Sequence, residues 1–134
     1  MTKYDNIISI YNDSTDYYEF LIKLGLYGYE INNSFKENYI VPMLCHELDN
    51  GKYSVVCTES LQKALKFVSD YINEESGQFY YNVIPLARKL CSLILTYPDK
   101  SIIMPCFKLL CQKIPDIMKK EYEKQKQFLK YKIN

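Results

Sequence analysis

Apolar side chains recur every three or four residues along almost the whole chain, the period of an α-helix and not of a strand. Tyr4, Ile7, Ile8 and Tyr11 make the first such stripe, and Asn12-Asp13-Ser14 breaks it. Asp13 or Thr15 then offers a side-chain oxygen as N-cap for a second helix bearing Tyr17, Phe20, Leu21 and Leu24. Gly25 and Gly28 weaken that helix and end it. Ser34 and Glu37 have the spacing at which a hydroxyl and a carboxylate each satisfy an orphan amide at a helix start. The helix they open carries Phe35, Tyr39 and Ile40, kinks or restarts at Pro42, runs through Leu48 and stops at Asp49-Asn50-Gly51. Residues 52–57 favour extended backbone, but one short strand without a partner reads as a connector.

The second half is more apolar. Thr58 or Ser60 caps the cleanest stripe, formed by Leu61, Ala64, Leu65, Val68, Tyr71 and Ile72, and Asn73 to Gly77 closes it. Asn82 is a candidate N-cap that puts Pro85 in a first turn, where its missing amide costs nothing. From there to Tyr97 the only polar strip is Arg88, Lys89, Ser92 and Thr96, and a helix apolar around most of its girth belongs inside a bundle. After Tyr97-Pro98-Asp99-Lys100 comes an antiparallel companion, Ser101 to Lys113, with Ile102, Ile103, Phe107, Leu109 and Leu110. Pro115 begins a last helix that turns Ile117, Met118, Tyr122 and Phe128 inward. The expected fold is all-α, a single domain over residues 1–134, with six to seven helices around a central apolar helical hairpin.

At 134 residues, 48% hydrophobic and 25% charged, the chain can bury a core without metals or disulfides. A net charge of +1 gives no global pull toward nucleic acid or lipid. The charge is unevenly placed, however. Residues 1–60 hold four lysines against nine acids, net −5, and residues 61–134 hold thirteen Lys/Arg against seven acids, net +6. Such asymmetry orients a partner or a second copy, or marks two solvated faces. Sixteen lysines beside the single Arg88, with abundant Ile, Asn and Tyr, match the codons of an A+T-rich genome. Five cysteines (45, 57, 91, 106 and 111) without a CxxC, and a start that lacks an apolar leader, point to a cytosolic compartment. Val83 to Tyr97 carries Arg88 and Lys89 at its middle and is too short to span a bilayer.

Little catalytic chemistry can be assembled from these residues. His46 is the only histidine, and His46-Glu47 lacks the second histidine of a zinc helix. Cys45 beside it leaves the helix in another direction. Cys106 and Cys111 lie five apart on different faces and read as core thiols. Gly25 and Gly28 lack the spacing and the preceding strand of a phosphate loop. No catalytic, metal-binding or cofactor-binding residue is assigned, and the chain reads as a non-enzyme. Lys119, Lys120, Lys124, Lys126, Lys130 and Lys132 interleave with Tyr122, Phe128 and Tyr131 as in a nucleic-acid-binding helix. Glu121 and Glu123 dilute that charge and favour an ordinary solvated face, so no nucleic-acid partner is assigned.

The segment from Tyr71-Ile72-Asn73-Glu74-Glu75 through Val83-Ile84-Pro85-Leu86-Ala87-Arg88 to Phe107-Lys108-Leu109-Leu110 resembles the poxviral Bcl-2-like family, over roughly residues 58–118. The matching features are a helix ending in a short acidic turn, a central helix with a small residue at Leu86-Ala87, a turn at Tyr97-Pro98-Asp99, and a companion helix with Phe107 and Leu110 in its core pattern. The resemblance implies a Bcl-2-like bundle that binds a host signalling or apoptosis-regulating protein in the host cytoplasm. Two branches follow: suppression of innate immune (NF-κB-type) signalling, or inhibition of apoptosis by seating a death-motif helix. The implied protein-binding groove runs beside Leu61, Leu65, Val68 and Tyr71, with Ile84 and Arg88 at its floor. Two departures matter. The Asn-Trp-Gly-Arg of cellular members is replaced by Asn82-Val83-Ile84-Pro85, and a C-terminal membrane anchor is not expected. Both shift the expectation toward signalling. Arg88 then either forks onto an Asp of a bound helix or pairs internally with an acid from residues 1–60. A homodimer is compatible with the charge asymmetry, and membrane insertion is not expected.

Overall fold

The computed structural model describes residues 2–53, 58–74 and 80–133, and every regular element among them is helical. Thr2 opens α1 (Lys3–Asn12): its hydroxyl accepts the Asp5 amide at 3.1 Å while the Asp5 carboxylate accepts the Thr2 amide at 3.2 Å. Asp16, rather than Asp13 or Thr15, caps α2 (Tyr17–Leu26) by accepting the Glu19 amide at 2.8 Å. Thr15 donates its hydroxyl to the Glu19 carboxylate instead. Gly28 ends α2 at φ +92°: its N–H returns to Gly25 and the Tyr29 N–H to Leu24, a left-handed cap that suits glycine alone.

Asn32 caps α3 (Asn33–Phe35), so the expected Ser34–Glu37 box gives way. Ser34 lies inside the helix and accepts a hydrogen bond from the Asn38 side chain. A wide π-helical turn, Lys36–Ile40, continues the same rod into α4 (Val41–Tyr53). It sits immediately before Pro42, whose ring and missing N–H displace the regular ladder. The expected stop at Asp49-Asn50-Gly51 is not one: the helix runs on through Tyr53. Gly51 is buried where α4 crosses α5 (Thr58–Glu74), and a Cβ there would stand 2.8 Å from the Leu61 Cβ. Of the expected connector at 52–57, residues 52 and 53 are helical and 54–57 lie outside the described residues, as do 75–77 of the expected closure after α5.

Asn82 does not cap the next helix. It sits buried in a 3₁₀ turn, Tyr80–Val83, and Val83 takes the cap position with no side-chain bond. Pro85 occupies the first turn of α6 (Ile84–Thr96) as expected. Asp99 caps α7 (Lys100–Lys113) by accepting the Ser101 amide, and α8 (Pro115–Ile133) follows after Ile114. Counting α3, the π turn and α4 as one rod, the described residues make seven helices in an all-α bundle.

One set of buried apolar side chains reaches from Ile7 to Met118. Helix α5 lies deepest in it and packs on α4, α7 and α2; α6 packs on α4, α7 and α8. The expected hairpin of α6 and α7 is present, but α7 buries only Ile103, Cys106 and Leu110. The interior therefore runs between α5 and α6, with α4 and α7 bridging them. None of the described helices is long and apolar enough to cross a membrane.

Candidate functional site

Helices α7 and α8 are joined by a single residue, and between them they leave an apolar groove of about 730 Å³. Met104, Phe107 and Cys111 form one wall on α7; Pro115, Met118 and Tyr122 form the other on α8. Both walls have helical i, i+3, i+7 spacing. Ile94 and Leu95 of α6 close the floor, and the rings of Phe107 and Tyr122 stand 6.1 Å apart at a tilt. The charged residues lining the groove are Lys100 and Lys119, both exposed at its rim. Lys100 Nζ donates to the Ile94 carbonyl near the end of α6, which also serves a carbonyl that the helix leaves unpaired. Two helical walls over an apolar floor form a gutter of apolar side chains.

The cysteine of the groove and the other described cysteines are poorly ionised. Burial pushes the Cys111 thiol up from its ordinary value, and it pushes Cys91 and Cys106 to about 12 and Cys45 to about 11. Thiols so far above neutrality carry almost no thiolate and are poor nucleophiles. Among the described residues no group of His, Cys, Asp or Glu is placed to hold a metal ion. His46 is exposed, with the Asn50 side-chain amide 3.1 Å from its Nε2. A second cleft of about 490 Å³, between α4 and α6, is bridged by the 2.7 Å ion pair of Lys89 with Asp49. Asn82 borders it, and neither atom of its side-chain amide has a partner among the described residues.

The six residues expected to line a binding groove do not converge on an open surface. Leu61, Leu65, Val68 and Tyr71 are all turned into the core, where Leu61 meets Gly51 and the Tyr71 ring stands edge-on to Tyr17 at 6.3 Å. Ile84 is half-buried at the start of α6. Arg88 is paired internally, but its partner is not an acid from residues 1–60. Because α8 packs along α6, Arg88 Nε meets Glu121 Oε2 at 3.2 Å, and the Glu121 side chain is only 5% exposed. Lys124 approaches the other carboxylate oxygen at 3.8 Å.

The signal that marks the groove is a doubled stripe. Ile103, Cys106 and Leu110 of α7 face the core, while Met104, Phe107 and Cys111 form a second apolar face beside it. A helix with more apolar girth than its neighbours cover leaves one face for something else. Helix α2 repeats the device: Tyr17, Phe20 and Leu24 are buried, but Tyr18, Ile22, Leu26 and Tyr27 are 55%, 65%, 81% and 73% exposed. On α8, Phe128 is 58% exposed and does not turn inward as expected, because the core ends near Met118 and Glu121.

No family model matches the chain, and no curated protein or solved structure is found to resemble it.

Proposed function

We propose that this chain is a helix-binding protein-interaction module whose groove between α6, α7 and α8 seats an amphipathic helix of a host signalling protein. The observation that carries this reading is the apolar groove whose walls present Met104, Phe107 and Cys111 on one side and Pro115 and Tyr122 on the other, above the buried Met118 and Ile94. Lys100 and Lys119 at the rim favour an occupant with acidic flanks. The resemblance to the poxviral Bcl-2-like family supplies the biology of the proposal: the partner belongs to inflammatory (NF-κB-type) signalling in the host cytoplasm, and binding suppresses it. Arg88 is engaged by Glu121, and the α5 stripe is covered by its own core. Both facts favour the signalling branch over the death-motif branch, which needs them free.

The test is a stimulated NF-κB reporter in transfected cells. The wild-type chain lowers the output, and Phe107→Glu, checked for an unchanged helical spectrum, does not. Suppression that ignores Phe107→Glu, or no suppression at all, removes this reading. In vitro, an acid-flanked helical peptide with apolar anchors at i, i+3 and i+7 binds at about micromolar, near −8 kcal/mol. Its lysine-flanked counterpart binds at least about tenfold more weakly. Tight binding of death-motif peptides that collapses on Arg88→Ala would instead favour apoptosis inhibition.

A further inference from the structure

We infer that the exposed face of α2 from a second copy of this chain docks in the groove between α6, α7 and α8, so that copies associate head to tail. The inference rests on the reading of that groove as a helix site, and it names an occupant that competes with the host helix. Tyr18, Ile22 and Leu26 stand at i, i+4 and i+8, one continuous ridge along α2, and each is more than half exposed. From Tyr18 to Leu26 the ridge is about 12 Å long, and each groove wall, spanning eight residues, is about 10 Å long. Ridge and gutter therefore match in length as well as in polarity.

Charge separates the two faces in the same sense. Asp13, Asp16 and Glu19 surround the start of α2, and its one lysine, Lys23, is already held by Asp13 at 3.2 Å and Glu19 at 2.9 Å. The groove answers with Lys100 and Lys119. An apolar ridge of this kind covers on the order of 300–600 Å². Burying it against the groove gives about 1,000 Å² in total, the low end of specific contacts, so association is reversible and concentration-dependent. Because ridge and groove are different surfaces of one chain, the contact is heterologous: each copy uses both, and assembly continues past a dimer unless it closes into a ring.

Mass by light scattering or sedimentation, read over rising concentration, tests this. The wild-type chain grows beyond a dimer, and growth weakens as salt is raised. Ile22→Asp and Phe107→Glu are each monomeric alone, yet an equimolar mixture gives a heterodimer and nothing larger, since one variant keeps its groove and the other its ridge. Leu26→Asp and Lys119→Glu, at exposed positions, repeat the pattern and guard against a variant that fails to fold. A wild-type chain that stays monomeric, a groove variant that still self-associates, or a mixture that stays monomeric overturns the inference. The acid-flanked peptide separates the two readings. If it binds Ile22→Asp at full strength while the wild-type chain stays monomeric, the groove is a helix site and only self-docking fails. If the mixture pairs but the peptide does not bind, self-docking stands and the host-helix reading fails.

Discussion

The two halves of the molecule use aromatic residues in opposite ways. Between α1, α2 and α5 the rings of Tyr11, Tyr17, Phe20, Phe67 and Tyr71 meet edge-on, with centroids 4.7 to 6.3 Å apart, and all five are buried. Lys63 closes this lattice from outside, its Nζ 4.3 Å from the Tyr11 ring centroid and donating to the Tyr11 carbonyl at 2.9 Å. Between α7 and α8, Phe107 and Tyr122 meet at a similar distance but remain half-buried along a groove. Residue type and helical spacing are alike in the two places. The difference is the third helix: α2 and α5 cover the first set of rings, and among the described residues no further helix covers the second. Aromatic area that is covered holds the fold, and aromatic area that is left open is available to a partner.

The sharpest way to break this comparison is to truncate one ring in each region. Phe67→Ala should cost about 3–5 kcal/mol, and Leu90→Ala in α6 about 2–5 kcal/mol, because both leave cavities in a closed core. Phe107→Ala should cost less than about 1 kcal/mol, having solvent on one side already, yet should abolish groove binding. Urea denaturation of the three variants reads these values. Equal losses at Phe67 and Phe107 would erase the distinction between the two regions.

A smaller effect is expected where the deep helix meets its neighbour. Gly51→Ala improves helix propensity but places a methyl 2.8 Å from the Leu61 Cβ and 3.0 Å from its Cα. Neither contact is a flexible tip that can swing away, so overpacking should win and destabilise by about 1–3 kcal/mol. A stabilised variant in thermal melts would mean that α4 and α5 cross less closely than here.

Gly51 also shows where the sequence stops being readable. Asp49-Asn50-Gly51 has the composition of a helix end, and only the partner helix reveals that its glycine makes room for Leu61. Ser34 and Glu37 have the spacing of a capping box, but Asn32 lies two residues earlier and takes the cap first. Both errors are local patterns overruled by their surroundings. Helix type and number were legible because each apolar stripe has a 3.6-residue period long enough to exclude a strand. The groove was not, because periodicity marks a face as apolar without saying whether another element covers it. The stripe Leu61-Leu65-Val68-Tyr71 was covered, while Met104-Phe107-Cys111 was open.

The glycines of α2 bring the comparison to a single helix, the one whose outer face is proposed to dock. Gly28 sits at φ +92°, where any side chain is strained, whereas a Cβ at Gly25 meets nothing within 4 Å. Gly28→Ala should lose about 1 kcal/mol and Gly25→Ala should gain about 0.5–1 kcal/mol, chiefly by restricting the unfolded chain. Melting temperatures that move the same way for both would contradict the left-handed cap.

The smallest effect is electrostatic, and it too has opposite signs in the two regions. In α6 and α7 burial pushes Cys91 and Cys106 up to about 12, away from ionisation. At the solvent-facing start of α2, hydrogen bonds pull the Glu19 carboxyl from its ordinary 4.5 down to about 2. The Thr15 hydroxyl, 2.7 Å away, is the main cause, and the Lys23 ammonium is the next. A carboxyl lowered on folding binds its proton more readily in the unfolded chain, so stability rises with pH across the window between the two values. This contribution is complete above about pH 4.5 and fades as pH falls toward 2. Lys23 is shifted the other way, upward, by Glu19, so its share is complete below its ordinary 10.5 and fades above that. Because solvent screens exposed charges, the consequence for the whole fold is small, and the site-resolved titration is the better measurement. Carboxylate NMR should place the Glu19 midpoint well below the ordinary 4.5, and Thr15→Val should raise it while leaving the Cys91 and Cys106 thiols unreactive at neutral pH. A Glu19 midpoint near 4.5 in the wild-type chain would show that Thr15 and Glu19 are not bonded. The start of α2 would then rest on the Asp16 cap alone.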